Sequence, residues 1–176
     1  MSTMLTTFGR PQSGEYDPYY GRYITLVNSD DIVTLLDSQA SDTIALLNSH
    51  PAKAEYHYAP GKWTVKEMLG HLNDTERIMT YRALRISRGD KTPLAGFEQD
   101  DYVRGGNFSQ RALDDLVAEF GNVRKATVSF FRHLDAEAAT RRGTANNVEI
   151  TPRALAFIIA GHELHHRKIL QEKYFK

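Results

Sequence analysis

The segment "TVKEMLGHLNDTERIMTYRALRIS", residues 64–87, has the pattern of one long amphipathic helix. Thr64 and Glu67 form a predicted capping box, in which each side chain accepts the backbone N–H of the other residue. Apolar residues then fall on one face of the predicted helix until "RGD" at 88–90, and they are Val65, Met68, Leu69, Leu72, Met79, Ala83 and Ile86. A helix of this length with one apolar face needs other helices to cover that face. The segment therefore predicts a helical bundle.

Three further segments have the same helical period. They run from Asp30 to Asn48, from a cap at Ser109 to Leu134, and from the pair Thr151-Pro152 into the C-terminus. Ser29 or Asp30 is the expected cap of the first of them. A threonine cap followed by proline at the first helical position is a common helix start.

The connections between these helices, at about residues 51–63, 89–108 and 135–150, contain no convincing alternating strand. The link between the second and third helices has about 20 residues, long for an antiparallel hairpin, so we expect a crossover. The fold class predicted is all-α, a four-helix bundle. The length fits one domain over residues 1–176, with residues 1–28 as an N-terminal arm on the bundle.

Composition excludes several classes of function. Lys plus Arg and Asp plus Glu both number 22, so no net charge favours nucleic acid or an anionic membrane surface. Neither a signal-peptide core nor a transmembrane run is visible, and we expect a cytoplasmic protein. The chain has no cysteine, which excludes disulfides, thiolate metal sites and a cysteine nucleophile. Any transition metal would be held by imidazoles and carboxylates.

The segment "GHELHHRKIL", residues 161–170, places histidines on the apolar face of the fourth helix. At 100° per residue, His162 and His166 lie about 20° on either side of Leu155, in the middle of the stripe. His165 falls on its shoulder and Glu163 near the boundary with solvent. A buried polar group without a partner costs about 1–3 kcal/mol, so two such rings indicate a shared partner. A metal ion is favoured over a hydrogen-bonded core pair.

The second helix adds two candidates. His71 lies at the edge of its apolar stripe, and Glu76 lies in the middle. A carboxylate there must be paired, linked to a metal or protonated. A buried salt bridge from Glu76 to an arginine, Arg82 or Arg153, is the alternative to a role in a site.

The pattern His-Glu-x-x-His at 162–166 is not expected to mark a metalloprotease, because such enzymes take a third ligand from beyond the motif. The residues that follow, "RKILQEKYFK", offer none, so the third ligand comes from upstream. His71, His162 and His166 are the predicted metal ligands. Three protein ligands leave positions open for water or substrate. Nickel and zinc are favoured, and iron or manganese is possible. The candidates for orienting a ligand or moving a proton are Glu76, Glu163 and His165.

With these residues in hand, nearly the whole chain resembles the DinB/YfiT-like superfamily of metal-dependent hydrolases. The resemblance rests on "EYDPYYGRYITLV" (15–27), "YAPGKWTVKEMLGHLNDTERIMTYRALRISRGD" (58–90), "GTAN" (143–146) and "AGHELHH" (160–166). It implies a four-helix bundle of up-down-down-up topology, a nickel or zinc site at the three histidines named above, and a homodimer. Relatives transfer thiols such as bacillithiol or carry out mycothiol-dependent isomerisation.

The leading hypothesis is a metal-binding DinB-like protein that hydrolyses a small molecule. The alternatives are a thiol-dependent S-transferase and a non-catalytic small-molecule or metal-binding stress protein. A purely structural bundle is the least favoured. The expected partner is a small-molecule substrate or thiol, with neither nucleic acid nor membrane.

Overall fold

The computed structural model describes residues 8–176. Within them lie seven α-helices and two short strands. In chain order they are α1 (Gly21–Ile24), α2 (Ile32–Asn48), α3 (Val65–Ser87), α4 (Gln99–Gly105), α5 (Leu113–Arg132), α6 (Ala136–Thr140), β1 (Gly143–Ala145), β2 (Val148–Ile150) and α7 (Pro152–Ile169). Short 3₁₀ turns occur at Pro18–Tyr20, Pro51–Lys53 and Phe108–Gln110, and a π-helical turn, Leu170–Tyr174, continues α7.

The four long helices α2, α3, α5 and α7 form the body of the protein. The most extensive packing is between α3 and α7, followed by α3 with α5 and α2 with α5. Helix α2 also contacts α7, so each long helix lies against two others. The protein is mostly helical, as predicted. None of the helices within residues 8–176 is long and apolar enough to cross a membrane.

Two predicted helix starts are confirmed in atomic detail. The Thr64 hydroxyl accepts the backbone N–H of Glu67 at 3.1 Å, and the Glu67 carboxylate accepts the backbone N–H of Thr64 at 2.7 Å. At the start of α7, the Thr151 hydroxyl accepts the backbone N–H of Ala154 at 3.2 Å. These side chains satisfy backbone donors that the first helical turn leaves free.

Two predicted boundaries are wrong. The cap of α2 is Asp31 rather than Ser29 or Asp30, and its carboxylate accepts the backbone N–H of Thr34 at 3.1 Å. Helix α5 begins at Leu113 and not after Ser109, which lies in a separate 3₁₀ turn. The backbone is extended at residues 111 and 112, so the turn and the helix cannot be continuous.

The hairpin formed by β1 and β2 was not expected from the sequence. The strands pair antiparallel, with Gly143 opposite Ile150. Asn146 and Asn147 connect them with φ values of 52° and 63°, the left-handed geometry of a tight two-residue hairpin turn. Asparagine tolerates that region better than most residues. Strands of three residues are too short to show an alternating pattern.

The hairpin holds the connection between α3 and α5. The backbone N–H of Leu94 donates to Thr144 at 2.9 Å, and the N–H of Asn146 donates to Leu94 at 2.9 Å. Helix α4 lies in this connection, after Leu94. The long link is therefore ordered, and it passes over one side of the bundle.

The N-terminal segment packs against α7. Residues 1–7 of the predicted arm lie outside the described residues. Phe8 is buried beside Phe131, and the guanidinium of Arg153 pairs with Glu15. Arg153 therefore does not pair with Glu76, contrary to one of the two alternatives. A Cβ atom at Gly161 would lie 2.0 Å from the carbonyl oxygen of Tyr23, so only glycine allows α1 to approach α7 this closely.

Candidate metal site

The three predicted metal ligands converge where α3 faces α7. His162 and His166 are one helical turn apart on α7, and neighbours at this spacing share a helix face. The Nε2 atom of His162 lies 3.0 Å from Nε2 of His71 and 3.1 Å from Nε2 of His166. One nitrogen from each ring lies within 4.8 Å of the others.

All three rings are buried and unprotonated at neutral pH. Burial lowers the pKa of His71 to about 4 and the pKa of His166 to about 3. Burial also lowers the pKa of His162 well below its ordinary value, and the neighbouring histidines lower it further. A neutral imidazole has one nitrogen with a free lone pair, which is the form that binds a metal.

The geometry fits a cation better than it fits hydrogen bonds between the rings. Each Nε2 has one in-plane bonding direction, yet Nε2 of His162 is approached by both other rings. A zinc ion about 2.0–2.1 Å from each nitrogen would hold neighbouring nitrogens roughly 3.0–3.4 Å apart at near-tetrahedral angles. The two shortest separations agree with that value. The donor set is three imidazoles, which suits nickel or zinc.

The site opens into two cavities. The larger has a volume of about 410 Å³ and is lined by His71 and His162. The smaller, of about 230 Å³, is lined by His166. Gln99 of α4 borders both, so the connection between α3 and α5 lies between the two openings. The three histidines are therefore accessible from two directions.

Other side chains orient or flank the three rings. The Thr75 hydroxyl lies 3.4 Å from Nδ1 of His71. The Tyr23 ring meets the ring of His162 edge-on, with 5.3 Å between centroids. The Trp63 ring lies 4.8 Å from the ring of His71. These contacts restrict the rotation of the imidazoles.

A second buried polar cluster lies behind the histidines. The guanidinium of Arg124 donates to both carboxylate oxygens of Glu76, each at 2.8 Å. The same group lies 2.7 Å from the carboxylate of Glu163 and donates to the carbonyl of Leu36 at 2.8 Å. Burial lowers the pKa of Arg124, but the charges of Glu163 and Glu76 outweigh it and hold that pKa above its ordinary value.

This cluster corrects two expectations. The arginine that pairs with Glu76 is Arg124, and neither Arg82 nor Arg153 does so. Glu163 is only 1% exposed and does not lie at the solvent boundary. The reason is that α2 packs beside α7, and Gln39 and Thr43 of α2 donate to the Glu163 carboxylate.

The predicted proton-transfer residues do not line the larger cavity. Glu76 and Glu163 border only a void of about 10 Å³ behind the histidines. His165 is half-buried, with its ring 5.5 Å from that of Tyr23. Their catalytic roles stay predictions. Among the described residues, the carboxylates that line the larger cavity belong to Asp17 and Glu98.

Three residues that shape the site were not assigned to it from the sequence. Arg124 follows Phe120 by four positions on the apolar face of α5, a spacing that predicts a buried charge. Arg82 continues the α3 stripe of His71, and the sequence predicts it only as an ion-pair partner for Glu76. Tyr23 gave no signal beyond its place in the family-like segment 15–27.

Comparison with known proteins places the fold. The model of the DinB superfamily matches residues 35–170. The structure is similar to YfiT from Bacillus subtilis, described as a probable metal-dependent hydrolase with an unusual four-helix bundle topology (TM-score 0.68, 14% identity, 92% of this chain and 89% of YfiT). It is also similar to the mycothiol-dependent maleylpyruvate isomerase (TM-score 0.63, 14% identity, 85% of this chain).

The chain spans 59% of the length of that isomerase. No curated protein matches the chain by sequence. At 14% identity the two structures establish the fold and leave the reaction open. The family match covers most of the chain and confirms the resemblance noted from the sequence: the protein belongs to the DinB superfamily.

Proposed function

We propose that His71, His162 and His166 hold one divalent transition metal ion, and that the protein hydrolyses a small molecule at this site. The observation that carries the proposal is the convergence of the Nε2 atoms of three neutral imidazoles beside a 410 Å³ cavity. An ion bound there would supply Lewis acidity, lowering the pKa of a water and polarising an electrophile. The description of YfiT as a probable metal-dependent hydrolase supports this choice.

The chain's own residues would bind and orient the substrate. Burial raises the pKa of Tyr23, so its phenol stays protonated and can donate a hydrogen bond in the cavity. Met79, Ile158 and Phe97 give the cavity apolar walls, which limit the water around a bound molecule. Thr75 fixes the ring of His71 from behind. The substrate is thus held between apolar walls and a few polar groups.

Thiol transfer is the second candidate, favoured by one observation. His166 lines a separate cavity of about 230 Å³, so a thiol and an electrophile have distinct routes to the three histidines. The mycothiol-dependent isomerase among the similar structures is consistent with this option. Hydrolysis needs only one organic reactant, and the larger cavity suffices for it.

The remaining expectations from the sequence belong to the proposal. They are the up-down-down-up topology, nickel or zinc as the metal, a cytoplasmic homodimer, and proton transfer or ligand orientation by Glu76, Glu163 or His165. A non-catalytic binding protein with the same metal is the outcome to be excluded by the assays below.

Metal analysis of untagged protein tests the first half of the proposal. We expect one metal ion per chain in the wild type and loss of that ion in His71→Ala, His162→Ala and His166→Ala. His133→Ala is the matched control, because His133 is exposed and outside the cluster. Folded wild-type protein that takes up no nickel, zinc, iron or manganese would overturn the metal site.

Activity assays test the second half. The metal-loaded protein is screened against ester and amide panels, with and without added thiols. Metal-dependent hydrolysis without thiol is the expected result. If turnover requires added thiol, the protein is a thiol transferase and not a hydrolase. If the metal-loaded protein turns over no substrate, it is a non-catalytic binding protein.

A further inference from the structure

Arg82 is a buried cation that no carboxylate neutralises. It is 3% exposed, and among residues 8–176 no Asp or Glu forms an ion pair with it. Arg124, of similar burial, has two carboxylate partners. A buried charge without a counter-charge is strongly unfavourable in a folded protein. Its presence in α3 therefore calls for a partner from outside the chain.

The contacts that Arg82 does make are with neutral groups. Nη2 donates to the carbonyl oxygen of Ala95 at 2.7 Å, and Nη1 lies 3.7 Å from the sulfur of Met79, a weak acceptor. Burial lowers the pKa of Arg82, and the phenol of Tyr20 offsets part of that effect. The guanidinium still carries its charge at neutral pH, because the ordinary pKa of an arginine side chain lies far above neutral pH.

Arg82 shares a cavity with the metal ligands. His71, Thr75, Met79 and Arg82 follow one another at helical spacing on α3, and all four line the 410 Å³ cavity. Eleven residues of helix place the Cα atoms of His71 and Arg82 about 16 Å apart along the axis. His71 and Arg82 therefore enter the same cavity from points about three helical turns apart.

We propose that Arg82 binds a carboxylate of the substrate, which is a small organic acid with its reactive group several bonds from that carboxylate. The placement of the substrate's reactive group rests on the proposed metal site, whereas binding of its carboxylate by Arg82 needs no metal. A guanidinium matches a carboxylate in a planar two-bond pairing, an arrangement that supplies both strength and orientation.

The charges around Arg82 favour a monoanion over a phosphate dianion. The cavity holds no second arginine or lysine among its lining residues, and it contains the carboxylates of Asp17 and Glu98. Asp17 already accepts the backbone N–H of Tyr19 at 2.8 Å, and Glu98 is exposed. One buried cation opposite two peripheral carboxylates suits a single negative charge.

Arg82 also borders an outer groove of about 360 Å³, where Arg85 lies. The charge of Arg85 is already neutralised by Asp90. Arg85→Gln is therefore a matched control, one helical turn away, that removes an equal charge from the outer groove alone.

The experiment uses hexanoate and its neutral isostere hexanamide as probes. Both are titrated at neutral pH into protein stripped of metal, so that the carboxylate cannot bind an ion, and binding is followed by calorimetry and NMR. We expect hexanoate to bind at least about tenfold more tightly than hexanamide. Arg82→Gln should abolish that preference, Arg82→Lys should keep part of it, and Arg85→Gln should leave it unchanged.

Equal binding of the two probes by the wild type overturns the proposal, and this test needs no variant to fold. A preference for hexanoate that survives Arg82→Gln, or that is lost in Arg85→Gln, overturns it as well. Metal content measured on the same preparations separates the two proposals. One ion per chain with no preference for hexanoate removes only the anion site, and a preference without any metal uptake removes only the metal site.

Discussion

Two buried polar clusters lie side by side in this bundle, and they differ in how completely their groups are satisfied. In the cluster of Arg124, Glu76 and Glu163, one cation meets two carboxylates within 2.8 Å. Within residues 8–176, no carboxylate contacts the three rings of the histidine cluster, and Nδ1 of His166 has no hydrogen-bond partner. The first borders a void of about 10 Å³, whereas the second opens into cavities of about 410 and 230 Å³.

Helices α3 and α7 supply the three histidines and both carboxylates, and α5 adds Arg124. His162 and Glu163 are consecutive in α7, so their side chains leave the helix about 100° apart and meet different neighbours. His162 faces α3, and Glu163 faces α2 and α5. Burial of a titratable group is therefore not a sign of function by itself. A buried polar group indicates a ligand site when the protein itself provides no bonding partner for it.

Arg124, Glu76 and Glu163 form a closed cluster, in which the protein's own groups satisfy one another. Removing its cation should have the largest effect on the free energy of unfolding. Arg124→Met leaves two adjacent buried carboxylates without a counter-charge, and we expect a loss of about 3–5 kcal/mol in the free energy of unfolding. Urea denaturation measures it. Arg132→Met, at an exposed pair with Asp37, is the control and should cost less than about 1 kcal/mol. A similar loss in both variants would mean that the closed cluster does not stabilise the fold.

Metal binding at the histidine cluster should raise the free energy of unfolding, and it should do so only when all three histidines are present. Metal at about 100 times its dissociation constant should add roughly 2.7 kcal/mol to the free energy of unfolding. His162→Leu should lose this gain, because one of the three metal ligands is gone. The measurement is denaturation with and without metal. The same gain in His162→Leu would contradict the site.

The independence of the clusters can be tested through their shared helix. Glu163→Gln keeps the size of the side chain and removes one of the charges opposite Arg124. We expect a loss of about 1–3 kcal/mol in the free energy of unfolding and an unchanged metal content. Elemental analysis measures the metal content, and urea denaturation measures the free energy of unfolding. A folded Glu163→Gln variant that no longer holds metal would show that the closed cluster supports the ion.

The metal-free protein should lose stability on acidification. Burial depresses the pKa of His71 to about 4, so below the unfolded value of 6.5 the unfolded chain binds more protons than the folded one. The free energy of unfolding then falls as the pH falls from 6.5 towards 4, by at most about 1.4 kcal/mol per unit for each histidine. Denaturation across this range should show a flatter profile for a His71→Leu, His166→Leu double variant. Equal slopes would mean that the rings are hydrated in solution.

Local pattern accounts for what the sequence predicted. The capping box at Thr64, the Thr151-Pro152 start and the stripe positions of His162 and His166 all depend on residues within a few turns of one another. His71 is the third predicted ligand by elimination, because the residues after His166 offer none. The structure brings these three rings together as expected.

Packing between distant segments accounts for what was missed. Glu76 and Arg124 are 48 positions apart, and no single-helix projection selects that pair. The burial of Glu163 was underestimated because α7 contacts α1, α2 and α3, which cover most of its circumference. The hairpin was missed because each strand has three residues, although Asn146-Asn147 was a usable turn signal.

Trp63 gives the candidate metal site an optical reporter. It is the single tryptophan of the chain, and its indole lies 4.8 Å from the ring of His71. Its fluorescence therefore senses one place in the molecule. Nickel, with its partly filled d shell, should quench the emission, whereas zinc, with a full shell, should leave most of the intensity in place. A titration followed by tryptophan fluorescence can then rank the affinities of the two ions and measure the rate of their exchange, without an added label.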